Sequence, residues 1–75
     1  MPKLPRVSGA ETIRALERMG FIQVRQRGSH VVLKRRGPGT MTGCVVPLHA
    51  ELATGTLRGI LKQAGVTTRE FIGKL

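Results

Sequence analysis

The stretch FIQVRQRGSHVVLKR, Phe21 to Arg35, decides how the rest of the chain is read. From Phe21 to Gln26 apolar and polar residues alternate, with Ile22 and Val24 on one face and Gln23 and Arg25 on the other. That period of two is the mark of a strand. Arg27-Gly28-Ser29 supplies a short glycine-containing turn, and His30 to Arg35 reads as a second strand. Val31 and Leu33 share one face of it; His30, Val32 and Lys34 share the other. Two strands joined so tightly make an antiparallel hairpin.

Working outward, Arg36 to Gly43 is rich in Gly, Pro and Thr and reads as a loop. Cys44 to Leu48 then forms a short third strand, and Pro47, which has no N–H to donate, belongs at an edge or a strand end. On the N-terminal side, Ser8 and Glu11 have the spacing of a capping box. Behind them Thr12, Ile13, Leu16 and Met19 fall within one helical arc, Arg14 and Arg18 point away, and Gly20 stops the helix. Beyond the third strand, Thr54 or Gly55 opens a second helix with an apolar stripe of Leu57, Ile60, Leu61 and Ala64, ended by Gly65. Thr67 and Glu70 repeat the capping-box spacing, and Phe71, Ile72 and Leu75 gather on a last turn or two. The expected fold is therefore α+β: an α-β-β-β-α sandwich plus a short C-terminal helix, its three-stranded antiparallel sheet carrying the helices on one face. With 75 residues, positions 1–75 make a single domain, since two separate cores would be too small.

Thirteen Lys and Arg against four Asp and Glu give a formal net charge of +9. Self-repulsion of that size works against compactness, and a polyanion is the natural partner to offset it, nucleic acid first. The cations are spread from Lys3 to Lys74 rather than gathered in a tail. Cys44 is the single cysteine, which excludes an internal disulfide. The opening residues hold no apolar leader and no stretch approaches a membrane span, so the expected location is cytoplasmic. Trp and Tyr are absent, and Phe21 and Phe71 fall where packing claims them. Proteins that read single strands by stacking bases on exposed aromatics are thereby disfavoured, leaving recognition through backbone charge and shape.

His30 is the residue with most to offer chemically. It follows the Gly-Ser turn, and Arg25, Arg27, Lys34, Arg35 and Arg36 lie on or near the same hairpin. An imidazole among phosphate-attracting cations can act as general base on a ribose 2′-hydroxyl or as general acid on a leaving 5′-oxygen. Guanidinium groups nearby can stabilise the charge that builds on the phosphorane oxygens. The plain alternative is an exposed strand histidine with one hydrogen bond to phosphate. His49 is either a second acid/base group, an orienting partner or, more simply, a loop residue. Cys44, His49 and His30 match no zinc spacing, so neither a metal nor another cofactor is expected.

Three stretches combine into a resemblance. Leu4-Pro5-Arg6-Val7-Ser8-Gly9 leads into a helix ending Met19-Gly20-Phe21. Arg25-Gln26-Arg27-Gly28-Ser29-His30 runs into Val31-Val32-Leu33. Val46-Pro47-Leu48-His49 is followed by Gly55 to Leu61 and Ala64-Gly65. In this order and length the chain resembles the HicA (YcfA-like) toxins. The resemblance implies a fold like a double-stranded RNA-binding domain. It implies a metal-independent endoribonuclease that cuts mRNA and halts growth until a HicB-type antitoxin binds, and it maps the catalytic histidine of the Gly-Ser-His turn onto His30. An acidic antitoxin would compete with RNA for one basic surface. On this reading Arg25, Arg27, Ser29, Lys34, Arg35 and Arg36 are the RNA-binding residues. The rival readings are a noncatalytic RNA- or DNA-binding module using the same surface, and a basic subunit matched to an acidic protein.

Overall fold

The structure, a computed structural model, describes residues 3–75. Helix α1 spans Gly9–Arg18, strands β1, β2 and β3 span Ile22–Arg27, His30–Gly37 and Thr40–Pro47, and helices α2 and α3 span Thr54–Ala64 and Thr68–Ile72. The strands form one antiparallel sheet in the order β1-β2-β3.

Local chemistry sets the helix ends. The Ser8 hydroxyl accepts from the Glu11 N–H at 3.0 Å, and the Ser8 N–H donates to the Glu11 carboxylate at 2.9 Å. At the far end Gly20 takes φ 97°, the Gly20 N–H reaches the Glu17 carbonyl and the Phe21 N–H reaches the Leu16 carbonyl. This paired closure needs a residue that tolerates the left-handed region, and it turns the chain straight into β1. Thr67 and Glu70 build the second capping box.

One face of the sheet contributes Val31, Leu33, Cys44 and Val46 to the core, and α1 and α2 bury Ile13, Leu16, Leu57, Ile60 and Leu61 in the same cluster. Both helices therefore cover that inner face, as the alternation in β2 requires. Phe21 and Phe71 are both buried. Burying a ring of this kind contributes about 1.5–3 kcal/mol, a sizeable share for so small a core. The helices lie toward β3, with α2 packed chiefly on it, and neither packs closely on β1. Every residue of β1 is exposed. No helix of the described residues is long and apolar enough to cross a membrane.

Two expectations are corrected. The segment from Arg36 to Gly43 is not a loop: β2 runs to Gly37, β3 begins at Thr40, and Arg36 pairs with Met41, Arg35 with Thr42 and Lys34 with Gly43. Only Pro38 and Gly39 turn the chain, with Gly39 at φ 68°, while Thr40 and Thr42 are good strand residues that the Gly and Pro signals masked. Secondly, β1 does not alternate throughout. Gln23 pairs with Leu33 and Arg25 with Val32, leaving Val24 as one extra residue in a β-bulge. Of the C-terminal apolar residues Phe71 enters the core, while Ile72 and Leu75 stay exposed, because a five-residue helix offers the core a single turn.

Candidate nucleic-acid interface

The turn that presents His30 is two residues long. Arg27 and His30 are register partners, and Gly28-Ser29 closes the strands with Gly28 at φ 55°. A positive φ at the first turn position suits a two-residue hairpin and asks for glycine. The Gln26 side-chain amide donates to the Gly28 carbonyl at 3.0 Å and steadies the turn from the β1 side. From the β3 side the Leu48 N–H donates to the Ser29 carbonyl at 2.7 Å, and Pro47 sits opposite His30.

Helix α1 closes the third side. The Gly9 N–H donates to the His49 carbonyl at 2.9 Å. A Cβ at Gly9 would collide with the Pro47 carbonyl and come within 3.0 Å of the Leu48 Cα. The start of α1, the start of β2 and the end of β3 thus meet at one junction, and His30 emerges from it exposed. His49 lies at the same end of the sheet, exposed, with its backbone fixed by Gly9.

The bulge decides which cations join His30. Register partners share a face, so Arg27 stands beside His30, Arg25 beside Val32 and Ile22 beside Lys34, all on the outer face away from the helices. Without the extra residue at Val24, the alternation starting at Ile22 would have turned Arg25 and Arg27 to the inner side. Arg36 continues the outer face beside Met41. Distances along β2 then rank the cations. At about 3.3 Å per residue, Lys34 stands about 13 Å from His30 and Arg36 about 20 Å, whereas Arg27 is directly across. Arg27, and Arg25 one diagonal away, are the cations that can share a single phosphate with His30. Lys34 and Arg36 stand further along the same face. Ser29 is exposed in the turn itself.

Arg35 is set apart from this group. It points to the inner side, where its guanidinium lies 4.6 Å from the centre of the Phe21 ring and donates to the Met19 carbonyl at 3.2 Å. Its charge braces the link between α1 and β1. Cys44 is also on the inner face, opposite Leu33, and burial pushes its thiol up to about 11. Cys44 and His30 are therefore on opposite faces of the sheet, and the thiol stays protonated at neutral pH.

Two contributors were hidden from sequence reading. Gln26 looked like one more polar strand residue, and its role at Gly28 depends on the bulge that turns it inward. Gly9 looked like a helix-start residue, and the crowding by Pro47 appears only when the chain folds back. Beneath β1 a groove of about 220 Å³ runs between α1 and the strand, lined by Arg14, Gln23, Gln26 and Leu48 among others.

The chain matches the family model described as HicA toxin of bacterial toxin-antitoxin over residues 9–66. No curated protein matches it. The matched segment starts at the first residue of α1, takes in the whole sheet and the Gly28-Ser29-His30 junction, and ends just past α2. More than half of the sequence lies inside it, and the chain belongs to the HicA family of bacterial toxins.

Proposed function

We propose that this toxin is a metal-independent endoribonuclease of the cytoplasm that binds and cleaves mRNA, with His30 as its acid/base group, and is neutralised by a HicB-type antitoxin. The observation that carries the proposal is the outer-face grouping of His30 with Arg27 and Arg25 at the rigid hairpin junction. Cleavage of RNA through its own 2′-hydroxyl needs no external nucleophile. The 2′-oxygen attacks the adjacent phosphorus, the bond to the 5′-oxygen breaks, and a 2′,3′-cyclic phosphate and a 5′-hydroxyl result. Such a step requires a group that takes or gives a proton in line with the phosphate and cations that stabilise the dianionic phosphorane. His30 supplies the first and Arg27, with Arg25, the second; Ser29, Lys34 and Arg36 hold neighbouring parts of the backbone. Arg35, engaged with Phe21 and Met19, has no part in RNA contact.

The test is incubation of a mixed-sequence RNA with purified protein in excess EDTA, beside His30→Ala. The expected result is cutting by the parent, giving ends with a cyclic phosphate, and loss of cutting in a variant that remains folded and still binds RNA. Undiminished cleavage by the variant removes His30 from the mechanism. Salt-sensitive binding with no product from either protein means a noncatalytic binding module.

A further inference from the structure

The chain's second histidine, His49, is placed by the same register that places His30. His30 pairs with Pro47, and the Leu48 N–H donates to the Ser29 carbonyl at 2.7 Å, so the pairing runs one row past the end of β3. That bond also makes His30 and Pro47 a non-hydrogen-bonded pair, the kind in which side chains stand closest. Leu48 turns inward, where it lines the groove with Ala10, Ile13 and Val31. His49 comes next in the chain and falls on the outer side, as His30 does. Both imidazoles are exposed, and the Gly9 N–H fixes the His49 backbone through its carbonyl at 2.9 Å.

His49 lies two residues beyond the partner of His30, which makes the two histidines diagonal neighbours. Such positions are about 7–8 Å apart, with long and aromatic side chains still in reach of each other. Arg27 stands on the β1 side of His30 and His49 on the β3 side. The turn beside them is open: apart from its chain neighbours, no atom comes within 4 Å of the point a Cβ on Gly28 would occupy. One phosphate group fits between two imidazoles at this spacing, with a guanidinium at its flank.

Two proton transfers accompany cleavage through the 2′-hydroxyl. One proton leaves the attacking oxygen and another reaches the departing oxygen on the far side of the phosphorus. Each transfer needs a group within about 3 Å of its own oxygen, so a lone imidazole serves one of them. The other titratable groups are placed elsewhere. Cys44 is buried on the inner face. Glu11 and Glu70 are held in their capping boxes, and Glu17 accepts from the Gln23 amide. Glu51 lies past the paired rows, where the chain returns to α1 and the Leu52 N–H meets the Val7 carbonyl.

We propose that His49 is the second catalytic residue, moving a proton in the opposite sense to His30. One imidazole takes the 2′ proton as the bond from the 2′-oxygen to phosphorus forms. The other, entering protonated, gives its proton to the 5′-oxygen as the bond from phosphorus to that oxygen breaks. One proton has then passed from nucleophile to leaving group, and exchange with water resets the two exposed rings. The inference rests on the ribonuclease reading above and supplies the partner that His30 needs.

The experiment compares His30→Ala, His49→Ala and the parent on two RNAs. One is an ordinary RNA; the other carries sulfur in place of the bridging 5′-oxygen at the site the parent cuts. A thiolate leaves without being protonated, so this substrate restores a variant that lacks the general acid and does nothing for one that lacks the base. Rates are measured in single turnover at saturating protein, so that weaker binding does not enter. His49 serves the fold through its backbone, and its truncated variant is expected to unfold at the parent's midpoint; should it fail to fold, His49→Gln takes its place.

The expected result is loss of ordinary cleavage by about 10²–10⁴-fold in each variant, with recovery of one variant, and one alone, on the sulfur substrate. Whichever recovers names the acid. Ordinary cleavage at the parent's rate by the His49 variant overturns the inference and leaves His30 in place. Loss in both with recovery of neither makes His49 a structural residue and also overturns it, as does recovery of both. Undiminished cutting by the His30 variant, or a parent that cuts neither RNA, removes the ribonuclease reading itself and this inference with it.

Discussion

The guanidinium of Arg35 lies over the ring of Phe21, 4.6 Å from its centre, on the face of the sheet that His30 does not occupy. Two arginines of one hairpin therefore have unrelated tasks: Arg35 ties the start of β1 to the end of α1, and Arg27 stands across from His30. Arg35→Ala is expected to lower unfolding free energy by about 1–2 kcal/mol through the lost cation–π contact and the freed Met19 carbonyl. RNA affinity at low salt should fall much less than in Arg27→Ala. Denaturant titration and RNA titration of both variants check the division.

Arg27→Ala is expected to reduce RNA cleavage about 10²–10³-fold with little change in stability, the size of effect found when one charge-stabilising donor is removed. Lys34→Ala, two rows further along β2, is expected to weaken binding evenly across RNA sequences and lower the salt slope by about one. Single-turnover rates and salt-dependent titrations separate these outcomes; equal losses of rate from both variants would contradict the ranking by distance.

Gly9→Ala inverts a familiar trend. Alanine ordinarily favours a helix over glycine by about 0.5–1 kcal/mol, yet here its methyl would strike the Pro47 carbonyl. The expected net result is a loss of about 1–3 kcal/mol, seen as a lower melting temperature. Because Gly9 also holds the His49 carbonyl, NMR shifts around Leu48, Ser29 and His30 should move together.

The two capping boxes shape the response to acid. Hydrogen bonds from the backbone and hydroxyl of Ser8 hold the Glu11 carboxyl below its ordinary value, and those of Thr67 do the same for Glu70. A depressed folded value means stability that is present above the ordinary carboxylate range, near pH 4.3, and lost as pH falls through the lowered values. Glu11→Gln with Glu70→Gln should flatten the urea midpoint between about pH 5 and 2, since Gln keeps the cap without titrating. An unchanged acid slope would locate that sensitivity elsewhere.

Cys44 acts at the other end of the scale. Its thiol is raised from 9.0 to about 11 by burial, so the stability it contributes is complete below about pH 9 and lost as pH climbs through about 11. Cys44→Ala should remove that alkaline decline at the cost of a small cavity. Iodoacetamide at pH 8 is expected to modify the native chain only as fast as it opens, measurable by mass spectrometry.

Much of the fold was legible in the sequence because its signals are local. Ser8 with Glu11, Thr67 with Glu70, and the stripe Leu57, Ile60, Leu61, Ala64 all act within a turn or two of chain, and each element appears where those residues place it. The outward direction of His30 and Lys34 was equally readable, since β2 pairs without interruption. The alternation grouped Arg25 with Gln23, yet the two point to opposite faces, because one unpaired residue at Val24 reverses the parity of everything after it, and no residue type marks that position. The strand from Thr40 to Gly43 was hidden for another reason: Pro38 and Gly39 are turn residues in any context, and only the partner strand shows that the turn stops at two.

The unpaired residue at Val24 has one more consequence. Strand β1 ends the sheet, with six exposed residues and a row of free backbone groups that a neighbouring chain could extend. A flat edge of that length invites copies to stack into aggregates. The bulge bends and twists the edge, and Arg25 and Arg27 put charge on it, so no straight ladder is offered to a newcomer. The irregular strand thus guards the open end of the sheet against edge-to-edge pairing of copies.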